Sequence, residues 1–599
     1  MLSAAQVYKD NIAKFEGEIE VLKRKRSNVG WIRLLIVIIT AAIIKFSWQQ
    51  QRWVLFAETI AGMAAFLYAV SIDTDMKEKL QNAEKLRQIN KDEIDVLNNN
   101  FLNREDGQQF NAANHPYAND LDVFGTASLF QYISRCTAEQ SKELLASQLL
   151  GPSPKSSILL KQAAIKELSN KTAWRQQMQA YGLQSPVTNA TERKLKNWLA
   201  LPTIFTAGYW HWLARIYPVI TLGAGLLYAV DVIAAPVFYL LVFCFLIFAF
   251  SLSKKIHHVW ILLSKIVEEA DTIYRQLAFI ESEDFNAEYI TAVKMKLQSA
   301  KGLPSSSEIK ELKNILNRFD VRLNTFAFIL LNTFLLWDLW QLLYLNKWKD
   351  KNAANLSQWF NAIAEMEALS SIATLAFNQP TWCYPAISDE HFTLQAANIG
   401  HPLIPAAKRV NNSFNLQGVG KVSIITGSNM GGKSTFLRSV GVNVVLAMMG
   451  SPVCAESFTI SVISLMSSMR IADNLAESTS TFYAELKKLK TIIDAVNNKE
   501  RIFILLDEIL RGTNSLDRHT GSGALIKQLI KQHAVAVVAT HDVELAKLQD
   551  SYPNNISNYH FDVQVENDEL FFDYKLKPGI CTSLNASILM RKIGIELEQ

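Results

Sequence analysis

Cysteine is scarce in this sequence, and the cysteines that are present lie far apart. The 599 residues contain five cysteines and no CxxC pair: Cys136, Cys244, Cys383, Cys454 and Cys581. An odd, scattered set of this kind is typical of a reducing compartment. It argues against a disulfide framework and against a zinc site built on cysteine pairs.

A strong excess of charge is also lacking. The 60 basic and 56 acidic residues leave a net charge of +4, which permits contact with nucleic acid or anionic lipid without demanding either. No basic stripe with interleaved aromatic residues marks a nucleic-acid face. The first 26 residues are polar and charged, so we expect no cleavable signal peptide.

Apolar residues, in contrast, make up 49% of the chain, and they form long runs. A chain of this length needs several domains, and a membrane-spanning helix needs about 20 apolar residues. Four runs approach that length, at about 31–48, 53–72, 217–230 and 232–252. They predict two transmembrane helical hairpins, the second covering about 217–252. The alternative is that these runs are buried helices of a large soluble core.

Basic residues flank both predicted hairpins on one side. They are the KRKR sequence at 23–26, Lys77, Lys79 and the lysine pair at 254–255. By the positive-inside rule, the N-terminus and the bulk of the chain should therefore be cytosolic, which predicts a protein of the inner (cytoplasmic) membrane. The KRKR sequence could instead contact DNA, but we favour its role in setting the topology.

A further apolar run, at 326–345, is less uniform. It contains Asn332, Asp338 and Gln341, and as a lone extra crossing it would place its two flanks on opposite sides of the membrane. We therefore expect a buried or membrane-surface helix here rather than a span.

The pattern of the chain changes near residue 385. Residues 77–100 and 256–320 are charged, with apolar residues at helical spacing. After residue 385, short β-rich runs (KVSIIT, RIFILL and AVAVVAT) alternate with helical stretches. This alternation predicts a helical region followed by a parallel α/β sheet.

The first of these β-rich runs leads into a glycine-rich loop. GSNMGGKS at 427–434 satisfies the pattern GxxxxGK[ST], follows the β-run at 422–426 and precedes a helical stretch, which is the context that a phosphate-binding P-loop requires. Its backbone N–H groups and the helix N-terminus would hold phosphate oxygens. Lys433 would neutralise the β- and γ-phosphates, and Ser434 would ligate magnesium.

Two more β-rich runs end in chemically active residues. Asp507 and Glu508 close the apolar run RIFILL, and His541 follows AVAVVAT. In such sheets these ends lie beside the phosphate loop. Asp507 would hold magnesium and Glu508 would orient the attacking water, while His541 could hydrogen-bond the γ-phosphate or that water.

In this order, the motifs of residues 385–599 resemble those of the MutS family of DNA-mismatch and DNA-structure ATPases. The matching stretches are GHPLI, ITGSNMGGKSTFLRSVGVNVVLAMMGSPVCA, MRIADNLAESTSTFYAEL, LLDEILRGTNSLDR and ATHDVEL. Residues 121–168 and 364–387 also look like parts of the family's helical core domain. The resemblance implies a P-loop NTPase of the ABC/MutS type, preceded by an all-α core and lever region with inserted transmembrane hairpins.

The resemblance also implies roles for individual residues. ATP and Mg²⁺ would be the cofactors, and Lys433, Glu508 and His541 the catalytic residues. In this family the ATPase domains dimerise head to tail, which makes Ser480 and Thr481 contacts to the partner's γ-phosphate. The residues implied to bind ATP are Gly427, Ser428, Asn429, Met430, Gly431, Gly432, Lys433, Ser434 and Thr435, together with Phe414, which would stack on adenine.

The predicted organisation departs from the family at the N-terminus. We predict charged helices with a transmembrane hairpin at 1–110, a helical core with the second hairpin at 111–385, and the ATPase domain at 386–599. The first hundred residues leave no room for the family's mismatch-reading domain, so mismatch-specific recognition is in doubt.

Three functions remain open at this stage. The leading one is a membrane-anchored, MutS-like, dimeric ATPase whose ATP cycle is coupled to binding mismatched or branched DNA, in DNA repair or recombination. The second is an ATP-switched membrane scaffold that does not bind DNA. The third is an ABC-type transporter, which the absence of an LSGGQ-like signature disfavours.

Overall fold

A helix-rich part and an α/β part follow one another along the chain. The computed structural model describes residues 3–49, 52–264, 266–298, 303–428, 431–470, 481–566 and 569–581. The helix-rich part ends at Asn378, and the first strand begins at Ala386. The predicted order of a helical region followed by an α/β region is confirmed.

Fifteen α-helices are described before the first strand. They are α1 (Ala4–Phe46), α2 (Arg52–Leu97), α3 (Leu129–Ile133), α4 (Glu139–Leu149), α5 (Lys155–Ser169), α6 (Thr172–Gly182), α7 (Asn189–Ala200), α8 (Tyr209–Ala229), α9 (Ala235–Leu263), α10 (Val267–Ser282), α11 (Glu288–Met295), α12 (Ser305–Phe319), α13 (Thr325–Leu335), α14 (Trp337–Asn352) and α15 (Leu356–Asn378).

Helices α1 and α2 form a long antiparallel pair. Helix α1 begins at an N-cap, Ser3, whose side chain accepts a hydrogen bond from the backbone N–H of Gln6, and this satisfies one of the free donors of the first turn. Asp73 of α2 pairs with Arg26 and Arg33 of α1 at 2.9 and 3.2 Å, so one carboxylate bridges two arginines across the pair.

Among the described residues, four helices are long and apolar enough to cross a membrane: α1, α2, α8 and α9. Only 6, 6, 22 and 11% of their most apolar 18-residue windows are buried within the protein. Helices buried in a soluble core would be covered on all sides, so these exposures disfavour the soluble-core alternative. Length and composition alone make them candidate spans.

The apolar run at 326–345 is divided between α13 and α14. The two helices meet at an angle of 80°, and Leu336 between them has a positive φ of 47°. Helix α14 is buried among the core helices, whereas Phe326 and Leu330 of α13 are exposed. Counted as one broken span or re-entrant loop, this pair would be a fifth candidate membrane element.

The α/β part contains a six-stranded sheet and a four-stranded sheet, as well as the short pair β10 and β11. The order of the larger sheet is β12-β9-β4-β8-β7-β6, in which β12 alone is antiparallel to its neighbour; the order of the smaller sheet is β1-β5-β2-β3. The strands are β1 (Ala386–Ser388), β2 (Thr393–Ile399), β3 (Asn412–Gln417), β4 (Val422–Thr426), β5 (Ser457–Ser461), β6 (Ser464–Ser468), β7 (Ile502–Asp507), β8 (Val535–Thr540), β9 (Ile556–Phe561), β10 (Gln564–Glu566), β11 (Glu569–Phe571) and β12 (Leu576–Pro578).

The larger sheet is covered on both faces, which is why its central strands are apolar throughout. Helix α16 (Lys433–Met448) packs on one face, and α17 (Thr481–Asn497) and α18 (Ser515–Lys531) pack on the other, while the short α19 (Leu548–Ser551) contacts β9. Leu505 and Val537 belong to the core that includes α16, and their neighbours Leu506 and Val538 to the opposite core. This parallel packing brings the C-terminal ends of β4, β8 and β7 to one edge of the sheet.

Candidate functional site

A glycine-rich loop joins the central strand β4 to helix α16. Gly427 and Gly432 have φ angles of 142° and 101°, a region that residues with a side chain rarely adopt. A Cβ atom on Gly427 would lie 2.8 Å from the carbonyl oxygen of Phe561, and one on Gly432 would lie 3.1 Å from the ring of Tyr574. The backbone can follow this path only because these positions are glycine. Asn429 and Met430, which we predicted to bind ATP, lie outside the described residues.

Lys433 is buried at the start of α16, with a side chain that turns back into the loop. The residue is 2% exposed, and its ammonium group donates hydrogen bonds of 2.8 Å to the carbonyl oxygens of Gly427 and Ser428. Burial lowers the pKa of Lys433 to about 8, although the nearby carboxylates of Asp507 and Glu508 oppose the shift. A buried ammonium group held by two carbonyl oxygens is positioned to bind an anion.

Asp507, at the end of β7, is a buried carboxylate with spare acceptor capacity. Its side chain is 4% exposed, and its Oδ1 atom has no hydrogen-bond partner within the described structure, nor has the hydroxyl of Ser428 in the loop. An unpartnered buried carboxylate oxygen fits a hard cation such as Mg²⁺, or a water molecule bound to it. Ser434, the second residue of α16, supplies a hydroxyl in the first turn of the helix that follows this loop.

Within the described residues, no group of three or more His, Cys, Asp or Glu side chains could hold a metal ion. This agrees with the chemistry of Mg²⁺, which commonly binds through one or two protein oxygens, substrate phosphates and water.

Glu508 follows Asp507 and lies at the centre of a small charged cluster. Its Oε1 atom is 2.6 Å from Nε2 of His541, and its Oε2 atom is 3.0 Å from Nε of Arg511. The hydrogen bond from His541 lowers the pKa of Glu508 below its usual range, and burial acts in the opposite direction. Glu508 is therefore ionised at neutral pH, with each carboxylate oxygen engaged.

His541 links this cluster to the loop. It follows β8, which pairs with both β4 and β7, and its ring nitrogens lie 3.4 and 3.5 Å from the ammonium of Lys433. The described structure thus brings Lys433, Asp507, Glu508 and His541 together, although they are far apart in the sequence. Arg511 was missed by the sequence reasoning; its position three residues after Glu508 was the available signal.

The predicted role of Phe414 in stacking on adenine is not supported by its position. Phe414 lies in β3 and is 2% exposed, and its ring packs edge-on against Phe436 and Tyr559. At 2% exposure, Phe414 is a core residue here and has no ring face open to a base. Its stacking on adenine stays a prediction.

The two residues predicted to act across a dimer interface are only partly placed. Ser480 lies outside the described residues, and Thr481 is the first residue of α17. Thr435 lies in the first turn of α16, after Lys433 and Ser434, with its side chain exposed.

These observations define a class of site. A parallel sheet whose central strand leads through a glycine-rich loop to a buried lysine and a helix N-terminus is an anion-binding arrangement of nucleotide-binding α/β proteins. Carboxylates at the ends of neighbouring strands are typical of phosphoryl-transfer sites.

Comparisons with known proteins agree with this class. Residues 423–590 match the family model described as MutS domain V. The chain is 35% identical over 231 residues to the DNA mismatch repair protein MutS of Ehrlichia chaffeensis, covering 38% of this chain and 28% of that protein. It is 32% identical over 222 residues to the DNA mismatch repair protein MutS of Natronomonas pharaonis, covering 36% of this chain and 25% of that protein. The C-terminal part of the chain is thus similar to MutS proteins, and the similarity spans about a quarter of their length.

Proposed function

We propose that this protein is a membrane-anchored, MutS-like ATPase that hydrolyses ATP with the help of Mg²⁺. The observation that carries the proposal is the convergence of Lys433, Asp507, Glu508 and His541 at one sheet edge, beside the glycine-rich loop. The similarity of residues 423–590 to MutS domain V supports it independently.

The roles follow from the charges and distances. The triphosphate of ATP would replace the carbonyl partners of Lys433, whose ammonium would then bind phosphate oxygens. Glu508, ionised and at the edge of the site, would orient the attacking water and accept its proton. His541 holds the carboxylate of Glu508 and lies near Lys433, so it would sense the γ-phosphate. Ser434 and Asp507 would hold Mg²⁺, which when bound neutralises charge on the phosphates.

We further propose that the ATPase parts of two chains form a dimer. The MutS-like motifs support a head-to-tail arrangement in which Ser480 and Thr481 of one chain contact the γ-phosphate bound by the other. The exposed residues Thr435 and Leu516 on the same part of the chain leave surface available for such a contact.

The helical part would anchor the protein in the cytoplasmic membrane, with the ATPase part in the cytosol. The exposed apolar faces of α1, α2, α8 and α9 support this arrangement. We propose the domain division 1–110, 111–385 and 386–599, in which the described residues up to Leu97 form the two long helices α1 and α2 rather than a compact mismatch-reading domain. The short helix α13, with its exposed Phe326 and Leu330, would lie in the cytosolic leaflet.

The proposed target is DNA with a mismatch or a branch. This rests on the similarity to the MutS proteins, which are named for DNA mismatch repair. An ATP-switched scaffold without DNA is the second candidate, and the nearly balanced charge of the chain favours it, because DNA-binding surfaces are usually strongly basic.

One experiment tests the enzyme and its target together. Purified protein in detergent should hydrolyse ATP only with Mg²⁺, and Glu508→Gln should bind ATP but lose turnover by about 10²- to 10⁴-fold. Glu500→Gln, an exposed position before β7, is the matched control. Persisting turnover in the Glu508→Gln variant would contradict the role of Glu508.

The ATPase rate of the unmodified protein should rise when mismatched or branched DNA is added, and this stimulation should be lost as the salt concentration is raised. An ATPase rate that no DNA changes would favour the ATP-switched scaffold.

Protease protection in sealed inverted and right-side-out vesicles tests the anchor. Residues beyond 386 should be cleaved only when the cytosolic face is outside. Release of the intact protein by a carbonate wash would contradict membrane insertion, since washing removes only peripheral proteins.

A further inference from the structure

Glu485 is a buried carboxylate that contacts the candidate site from a different element. It lies one turn after the start of α17 and is 4% exposed. Its Oε1 atom accepts a hydrogen bond of 2.5 Å from the backbone N–H of Leu510, and its Oε2 atom accepts one of 3.1 Å from the N–H of Arg511. A single side chain thus holds two consecutive peptide groups of the loop that follows Glu508.

That loop needs to be held, because its backbone is strained. Glu508 and Leu510 have φ angles of 50° and 60°, in the left-handed region that costs a residue with a side chain about 1–2 kcal/mol. Such conformations persist only where the surroundings impose them. The two hydrogen bonds that Glu485 accepts come from the peptide N–H groups of the second strained residue, Leu510, and of the residue directly after it.

Gly512 brings the same loop against α17 a second time. A Cβ atom at Gly512 would lie 2.6 Å from Cβ of Phe482, so the loop approaches the first turn of α17 as closely as its backbone permits. Glu485 and Phe482 therefore form one contact surface of α17 for residues 508–512.

This contact surface is connected to the carboxylate of Glu508 through Arg511. Glu485 holds the backbone of Arg511, and the side chain of Arg511 contacts Oε2 of Glu508 at 3.0 Å. A shift of α17 would change the position of Arg511 and with it the direction of Glu508.

We propose that Glu485 is a positioning residue that aims Glu508 and couples it to the start of α17. This rests on the proposed ATPase function, in which Glu508 orients the attacking water.

The test is steady-state ATP hydrolysis by full-length Glu485→Ala, Glu485→Gln and Gly512→Ala variants. Glu485→Ala should lower kcat by about 10- to 100-fold, as expected for a misplaced catalytic group, with KM and ATP binding unchanged within about twofold. Glu485→Gln should recover part of kcat, because its amide oxygen can accept one of the two N–H bonds. Gly512→Ala should lower kcat in the same way without removing a charge. Lys487→Ala, exposed on the same helix, should match the unmodified protein.

The outcomes separate the inference from the function beneath it. A kcat of Glu485→Ala equal to that of Lys487→Ala would overturn the positioning role. So would a parallel loss of ATP binding and turnover in all three variants, which would indicate only a structural role. Absence of Mg²⁺-dependent turnover in the unmodified protein would overturn the proposed function itself, and the inference with it.

Discussion

The low pKa of Lys433 predicts that ATP binding takes up a proton. Burial lowers this pKa from 10.5 to about 8, a difference of about 3 kcal/mol in favour of the neutral form. The unliganded protein is therefore about half protonated at Lys433 at pH 8 and about one-tenth protonated at pH 9. Phosphate oxygens favour the charged ammonium and raise the pKa again. Binding must then become weaker as the pH rises through 8, because an increasing fraction of the lysine has to gain a proton first.

The expected change follows from linkage between protonation and binding. If the pKa in the complex exceeds about 10, the Kd for ATP should be about tenfold higher at pH 9 than at pH 7. Isothermal titration calorimetry of the Glu508→Gln variant, in buffers of different ionisation enthalpy, should show uptake of at least half a proton at pH 8, because loss of the Glu508 carboxylate lowers the pKa of Lys433 further. The phosphates of ATP contribute little to the proton uptake at pH 8, because a terminal phosphate group has its last pKa near 6.

Replacement by arginine provides the control for this prediction. The guanidinium of Lys433→Arg stays protonated throughout this range, so the pH dependence should vanish even where the affinity is reduced. A Kd that is constant between pH 7 and 9 in the unmodified protein, or an equal dependence in Lys433→Arg, would refute the assignment of the proton to Lys433.

Three further predictions concern the parts of the molecule around the site. Asp120 is buried and accepts hydrogen bonds from two backbone N–H groups, a serine hydroxyl and the ammonium of Lys488. Asp120→Asn should therefore lower the free energy of unfolding by about 1–3 kcal/mol and lower the thermal unfolding midpoint. An unchanged midpoint would contradict this prediction. Gly441 of α16 has no room for a side chain, since a Cβ atom would lie 2.7–3.0 Å from two leucine side chains. Gly441→Ala should lower the free energy of unfolding by about 1–3 kcal/mol, measured by the same midpoint. An unchanged midpoint would show that α16 can shift to make room for the methyl group. With the native cysteines replaced by serine, a fluorescent probe on Phe326→Cys should be quenched in vesicles by spin-labelled acyl chains, and the same probe on exposed Lys347→Cys of α14 should not. Quenching at Phe326→Cys as weak as that at Lys347→Cys would place α13 outside the bilayer.

The elements of the α/β part could be predicted because local and global preferences agree there. The runs that form β4, β7 and β8 are short, apolar and bounded by polar residues, and each is a buried strand of the parallel sheet. The proximity of the catalytic candidates could be predicted as well, because a parallel sheet brings the ends of its strands to one edge whatever their separation in sequence.

The bend between α13 and α14 could not be predicted in the same way. Its cause is tertiary: the hydroxyl of Tyr217 donates to the carbonyl oxygen of Thr333, and that of Thr221 donates to the carbonyl oxygen of Phe334. These partners satisfy carbonyl groups that a continuous helix would have bonded internally. The apolar run at 326–345 carries no local signal of the break.

The same limit applies to the residues around Glu508. Glu485 and Arg511 become important through the path of the loop, which depends on positive φ angles at Glu508 and Leu510 that no sequence pattern marks. Phe414 was assigned to the nucleotide by its place along the chain, whereas its burial is decided by Phe436 and Tyr559 on other elements.

Buried polar contacts connect the candidate membrane hairpin to the helix that precedes the α/β part. Tyr8 of α1 donates a hydrogen bond of 2.7 Å to Asn378, the last residue of α15, and Asn378 in turn contacts Glu93 of α2. Glu93 forms two bonds of 2.8 Å with Arg135. Breaking one partner of such a buried network is costly, so these elements should move as a unit.

Asp120 extends this connection from the helical part to the candidate site. Its carboxylate accepts from the backbone N–H of Arg470 and from Lys488, and these two residues lie on either side of the segment 471–480 in the sequence. Lys488 is on α17, one turn beyond Glu485, which holds the loop after Glu508. A displacement of the helical part would therefore act on α17 through Asp120, and α17 would pass it to Glu508 through Glu485. Both steps pass through buried carboxylates, which suits the proposed coupling of an anchored helical part to ATP hydrolysis.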